Sequence, residues 1–147
     1  MFETIVWATD GSELADRALP LVTDLARVHG SKIVVLHANE LLAGRFGGAP
    51  LLADEDELRS AFAKQVAELR DAGFHADLKI KTGVTGVGNL IAEAAEEVDA
   101  DLIVVGSHGR GAVTGALLGS VAKRLLHIAK CPVLVVTPTQ VPAGVAA

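Results

Sequence analysis

Short runs of aliphatic and β-branched residues alternate along this chain with longer stretches in which apolar positions recur every three or four residues. That alternation predicts strands separated by helices, the pattern of a parallel sheet covered on both faces. The first strand runs from Thr4 to Thr9 and ends in the turn Asp10-Gly11-Ser12. A helix follows, with an apolar stripe through Leu14, Ala18, Val22, Leu25 and Val28, and Gly30 stops it. Lys32 to Ala38 reads as a strand buried on both sides. Asn39 to Ala53 is an irregular loop, Asp54 to Ala72 a helix opened in capping-box fashion by Asp54 and Glu57, and Phe74 to Thr82 a strand near the sheet edge. Then come a helix from Asn89 to Val98, the most apolar strand from Asp101 to Val105, a glycine-rich segment from Gly106 to Gly119, a helix from Ser120 to Lys130 and a last strand from Pro132 to Val136.

Five strands and four helices in this order predict an α/β, doubly wound, five-stranded parallel sheet with strand order 3-2-1-4-5, a Rossmann-like arrangement. Residues 1–137 form one domain, and 138–147 a flexible tail. In such sheets ligands sit beyond the carboxyl ends of the strands, where the strand order reverses. The loops after Thr9, Ala38 and Val105 therefore carry the candidate chemistry.

Composition narrows the choice. The chain has 147 residues, half of them hydrophobic, with four Phe, one Trp and no Tyr. Thirteen Lys and Arg against 18 Asp and Glu leave a formal charge of −5, without a basic run, which argues against a nucleic-acid partner. No apolar run approaches the roughly 18–20 residues that span a bilayer. The absence of a signal-peptide pattern makes the cytoplasm the expected location. One cysteine, scattered histidines and no CxxC or HExxH leave no metal motif.

Gly106, Gly109 and Gly119-Ser120 form a G-x-x-G, nine-residue spacer, G-S pattern between a buried strand and a helix. Glycines let the backbone approach anionic oxygens, and the first amides of a helix lack intrahelical acceptors, so the pattern suits a phosphate. Ser120 is expected to cap that helix. Arg110 lies within reach of a terminal phosphate, with His108 beside it. Other phosphate loops fail: Ala112 stands where Walker A needs Lys, and Ile91 where the dinucleotide fingerprint needs Gly. No G-x-S-x-G nucleophile elbow surrounds Ser107 or Ser120.

Simpler roles stand beside these. Asp10 also fits a turn residue bonded to its own backbone, and Ser12 an N-cap. Arg110, Lys123, Arg124 and Lys130 also fit solvated positions. His37 reads as a packing residue, Cys131 as a half-buried apolar one, and His29, His75 and His127 as surface residues.

The runs Val6 to Ser12, Asp101 to Gly111, Leu117 to Val121 and Cys131 to Val136 together resemble the universal stress protein family, over about Phe2 to Val136. The resemblance implies an ATP-binding member of a fold shared with adenine nucleotide alpha hydrolases. It implies that Ala8, Thr9 and Asp10 flank the nucleotide, with Asp10 meeting the ribose or a magnesium-bound water. It sets Ala38 beside adenine where the family usually has valine, and makes Val105 and Gly106 the floor. Gly109, Gly119, Ser120 and Val121 then hold the phosphates. Val84-Thr85-Gly86 replaces the family's usual Pro-containing turn. The resemblance also implies a homodimer joined through the last strand, Pro132 to Val136.

The function expected is nucleotide-dependent sensing or regulation in the stress response. No general base or activated nucleophile is evident. The alternatives are a slow ATPase or autophosphorylating protein, an adenylyl-transfer enzyme of the related hydrolase fold, and a regulator that binds AMP or cyclic AMP.

Overall fold

The computed structural model describes residues 1–41, 52–108 and 118–138. Five strands form one parallel sheet: β1 (Thr4–Ala8), β2 (Lys32–Glu40), β3 (His75–Gly83), β4 (Leu102–Gly106) and β5 (Val133–Val136). Their order is β3-β2-β1-β4-β5, so the reversal of strand order falls between β1 and β4, as expected from the sequence.

Burial on both faces explains why these strands are nearly continuous in apolar residues. On one face Ile5, Trp7, Ile33 and Val35 pack with Ala18, Val22, Phe62 and Val66. These last four come from α1 (Glu13–Arg17) with its cap residue, α2 (Leu19–His29) and α3 (Leu52–Asp71). On the other face Val6, Val34, Leu36 and Ile103 pack with Ile91, Ala94 and Leu125, supplied by α4 (Val87–Glu97) and α5 (Ser120–Ile128).

Several boundaries differ from the expectation. The single helix through Leu14 and Val28 is two helices that meet at Ala18, with Pro20 in the first turn of α2. Proline lacks an amide donor and is accepted in a first turn but not in a helix interior. Val28, counted on the apolar stripe, is 78% exposed. After the break the inward face of α2 passes through Val22 and Ala26 instead. β2 continues two residues past Ala38, to Glu40, and α3 starts before Asp54, so Asp54 and Glu57 lie inside the helix. Residues 42–51 of the expected loop and 139–147 of the expected tail lie outside the described residues.

Trp7 ties β1 to the segment that follows it. Its ring is fully buried, and its Nε1–H donates to the Ala15 carbonyl at 3.1 Å. At the β3 edge, Glu97 of α4 accepts hydrogen bonds from Lys79 and Lys81. The two ammonium groups hold its carboxyl down at about 2.

Two predictions follow the packing. Trp7→Phe removes the indole donor to the Ala15 carbonyl, which keeps only the Ala18 amide, and reduces buried volume. It is expected to destabilise the fold by about 3 kcal/mol, read by urea unfolding followed by circular dichroism. Glu97 is an acid with a lowered folded-state pKa, so its pairing stabilises fully above the ordinary value of 4.5 and is lost as pH falls through about 2. Glu97→Gln should therefore be less stable than wild type at neutral pH, and unfolding curves at stepped pH should show the difference closing in acid.

Candidate functional site

The carboxyl ends of β1 and β4 open side by side, and a nested turn leads out of β1. The Thr9 amide donates to the Leu36 carbonyl of β2 at 3.0 Å, holding the chain to the sheet for one more residue. The Gly11 amide then donates to Thr9 Oγ1 at 3.2 Å, and the Ser12 amide to Asp10 Oδ1 at 2.9 Å. Ser12 caps α1, its Oγ accepting from the Ala15 amide at 3.3 Å. Asp10 thus has the turn role anticipated for it, with its carboxylate at the strand end, half-buried.

β4 ends differently. Past Gly106, Ser107 is only 1% exposed and its amide donates to the Val136 carbonyl of β5 at 2.9 Å. Its carbonyl accepts the Gly119 amide at 2.7 Å, and its Oγ lies 2.8 Å from His108 Nδ1. The Gly119 bond joins the strand end to the start of α5. A Cβ on Gly119 would stand 3.0 Å from the Ser107 oxygen and 3.4 Å from the His108 Cα, both backbone atoms. A side chain there would press on that backbone and require it to give by a few tenths of an ångström.

Gly119, not Ser120, occupies the cap position of α5. Gly119 has extended backbone angles, and its carbonyl accepts the Lys123 amide at 3.1 Å. Ser120 is the first helical residue and is exposed. The amides of Ser120, Val121 and Ala122 precede the first intrahelical bond and lack helical acceptors. Together with the helix dipole they favour an anion beside the end of β4.

Ala8, Ala38, Val105 and Val121 share one face of the sheet, all belonging to the same apolar cluster. Thr9 and Asp10 lie at its β1 end, Gly106 at its β4 end and Gly119 and Ser120 at the start of α5. Gly109 and Arg110 fall outside the described residues. Among the described residues, no group of three or more His, Cys, Asp or Glu could hold a metal ion.

The sequence points to Ser107 only as a failed nucleophile, whereas its backbone clasps both neighbouring elements. The signal was the position itself, a hydroxyl residue directly after a buried strand and before the glycine spacer.

His37 is a packing residue as expected, tilted against Phe62 with ring centroids 5.0 Å apart. Its Nε2 also meets Glu55 of α3 at 3.2 Å, a partner not anticipated. Cys131 is half-buried, and burial pushes its thiol pKa up, opposite to what a reactive thiolate needs. Lys130 pairs with Glu96, and Arg124 Nε donates to Asn89 Oδ1 at 3.1 Å across the α4–α5 contact.

A parallel sheet whose strand order reverses, with an anion-favouring helix start at the switch point, is the arrangement of the nucleotide-binding α/β fold. The profile of the Universal stress protein family matches residues 1–137, and the chain belongs to that family. It is 34% identical over 145 residues to a universal stress protein from Thermus aquaticus, covering 92% of this chain and 99% of that one. A relative from Mycobacterium tuberculosis is longer: the match, 31% identical, spans 86% of this chain and 42% of the relative. A universal stress protein from Archaeoglobus fulgidus, solved in complex with dAMP, superposes with a TM-score of 0.67 at 25% identity, covering 92% of this chain and 98% of that one. Another, solved in complex with cAMP, superposes with a TM-score of 0.65 at 26% identity, covering 92% and 97%. No helix among the described residues is long and apolar enough to cross a membrane.

The clasp generates its own test. Gly119→Ala forces a methyl group against two backbone atoms and is expected to cost about 1–3 kcal/mol. Amide exchange of residue 119 and of residues 123–126 should accelerate more than that of β1 and β2, a contrast visible by hydrogen-exchange mass spectrometry.

Proposed function

We propose that this protein binds ATP at the carboxyl ends of β1, β2 and β4 and acts as a nucleotide-dependent regulator in the stress response. The observation that carries the reading is the Ser107–Gly119 clasp, which fixes the open amides of α5 beside the end of β4. Ser120, Val121 and Gly119 hold the phosphates, joined by Gly109 and Arg110 of the glycine segment. Ala8, Ala38, Val105 and Gly106 supply the surface for the base and sugar. Thr9 and Asp10 flank the ribose, and Asp10 holds magnesium through a water.

Magnitudes are consistent with moderate affinity. Three hydrogen bonds to a charged phosphate contribute about 5–9 kcal/mol before ordering costs, and micromolar binding needs about 8 kcal/mol net. The base must contribute the rest. Ala38, lacking two methyl groups relative to valine, gives up about 1–1.5 kcal/mol of contact. A protein solved with dAMP and another with cAMP among the similar structures favour a second reading, in which AMP or cyclic AMP is the ligand.

The reading extends to a homodimer in the cytoplasm, paired through β5. That strand lies at the sheet edge with Val133, Leu134 and Val135 only partly buried. With no cluster of three or more metal-ligating side chains among the described residues, binding, or at most slow hydrolysis, is favoured over rapid metal-assisted catalysis.

Calorimetric titration tests the site. Asp10→Asn can still accept the Ser12 amide, so the turn survives while the charge is lost. ATP affinity should fall about tenfold in magnesium and remain unchanged without it. Equal affinity in both conditions, with wild type binding ATP, removes Asp10 from the site. If cyclic AMP binds wild type and ATP does not, the second reading replaces the first. Val135→Lys places a charge on the β5 edge and is expected to turn a sedimenting dimer into a monomer.

A further inference from the structure

We infer that Asn89 is a positioning residue that ties the base side of the proposed nucleotide site to its phosphate side, by holding the turn after β3 and the first turns of α5 in one fixed relation. The inference rests on the nucleotide reading above and adds to it a residue that acts through its neighbours.

The carboxamide of Asn89 is engaged at both ends, on two elements distant in sequence. Its Nδ2 donates to the Thr85 carbonyl in the turn that leads into α4, and its Oδ1 accepts from Arg124 Nε of α5 at 3.1 Å. These partners fix its orientation. A carbonyl takes only a donor and a guanidinium offers only donors, so exchanging the amide nitrogen and oxygen would set like against like at both ends. A leucine of similar volume would make neither bond.

Packing brings the two elements close enough for the bridge. Gly88 is buried, and a Cβ there would stand 2.8 Å from Arg124 Cγ, 2.9 Å from Arg124 Cβ and 3.6 Å from the Val121 carbonyl oxygen. The stem of Arg124 therefore lies directly on the backbone of α4, one residue before Asn89. The turn is also tied to β2: the Leu41 amide donates to the Gly83 carbonyl at 2.7 Å, and β2 and β3 stay paired from Ala38 and Lys81 to Glu40 and Gly83. Contacts thus run without a break from the end of β2, where Ala38 edges the base surface, through Gly83, Thr85 and Asn89 to Arg124 and Val121 of α5.

A ligand that engages one side alone needs no fixed spacing between the two. ATP needs both at once, so a bridge that presets the spacing spares ATP an ordering cost that adenosine never meets. Both bonds lie at the protein surface, where hydrogen bonds contribute modestly, and the expected effect is a few-fold change.

Two measurements test this. In 1H–15N spectra of the ligand-free protein, the Arg124 Nε–H should exchange slowly with water in wild type and rapidly in Asn89→Leu. Rapid exchange in wild type, or slow exchange in the variant, overturns the bridge. Affinities for ATP by calorimetry and for adenosine by NMR titration are then compared across wild type, Asn89→Leu, Arg124→Lys, which keeps the charge and moves the donor, and the double variant. Adenosine should bind all four equally. ATP should bind each single variant about fivefold more weakly than wild type, and the double variant no more weakly than the singles.

Equal losses for ATP and adenosine, or losses that add in the double variant, overturn the positioning role. ATP that binds wild type and Asn89→Leu alike overturns it too, and leaves the nucleotide reading intact. Wild type that shows the slow Arg124 Nε–H but binds neither ATP nor adenosine removes the nucleotide reading, and the positioning role with it, while the bridge stands.

Discussion

The hydrogen bond from the Gly119 amide to the Ser107 carbonyl closes the chain on itself where the sheet reverses direction. Ser107 can serve as its anchor because β5 takes the Ser107 amide and leaves the carbonyl aimed at α5. Gly119 serves as its other half because, without a Cβ, it approaches the Ser107 backbone with no crowding. A strand end, an edge strand and a helix start are thus bound through one buried residue. The open amides of α5 gain a fixed origin from it, and an anion arriving there meets donors already in place, without a large ordering cost.

The fold was legible in the sequence wherever one physical rule acted alone. Strands buried on both faces must be apolar throughout, and Ile33 to Leu36 and Leu102 to Val105 read that way directly. The break at Ala18 was less legible, because Leu14, Ala18, Val22 and Leu25 keep a helical spacing across it. Only Pro20 marked the interruption. β2 continued past Ala38 because pairing with β3 as far as Gly83 supports Asn39 and Glu40, which their own composition did not suggest.

The candidate site was legible as a spacing and not as a set of contacts. Glycines at 106, 109 and 119 pointed to an anion, and the strand order placed them at the switch point. Ser120 looks like the cap, since serine favours that position, yet the chain approaches Ser107 most closely at Gly119, where a Cβ would crowd the backbone, and the cap falls there. Ser107 drew notice only for lacking a nucleophile elbow, because its importance comes from burial by elements distant in sequence. The same holds for Glu55, whose meeting with His37 depends on how α3 lies across β2.

Trp7 carries a consequence of another kind. With one tryptophan and no tyrosine in 147 residues, nearly all near-ultraviolet emission of the protein arises from a single indole. That indole is wholly buried, three residues before Asp10, and its nitrogen is bonded to the first helix after the turn. Any rearrangement that loosens the Trp7–Ala15 bond changes the polarity around the ring and with it the colour of the emitted light. The architecture thus contains an optical reporter at the threshold of its own site, needing neither dye nor label.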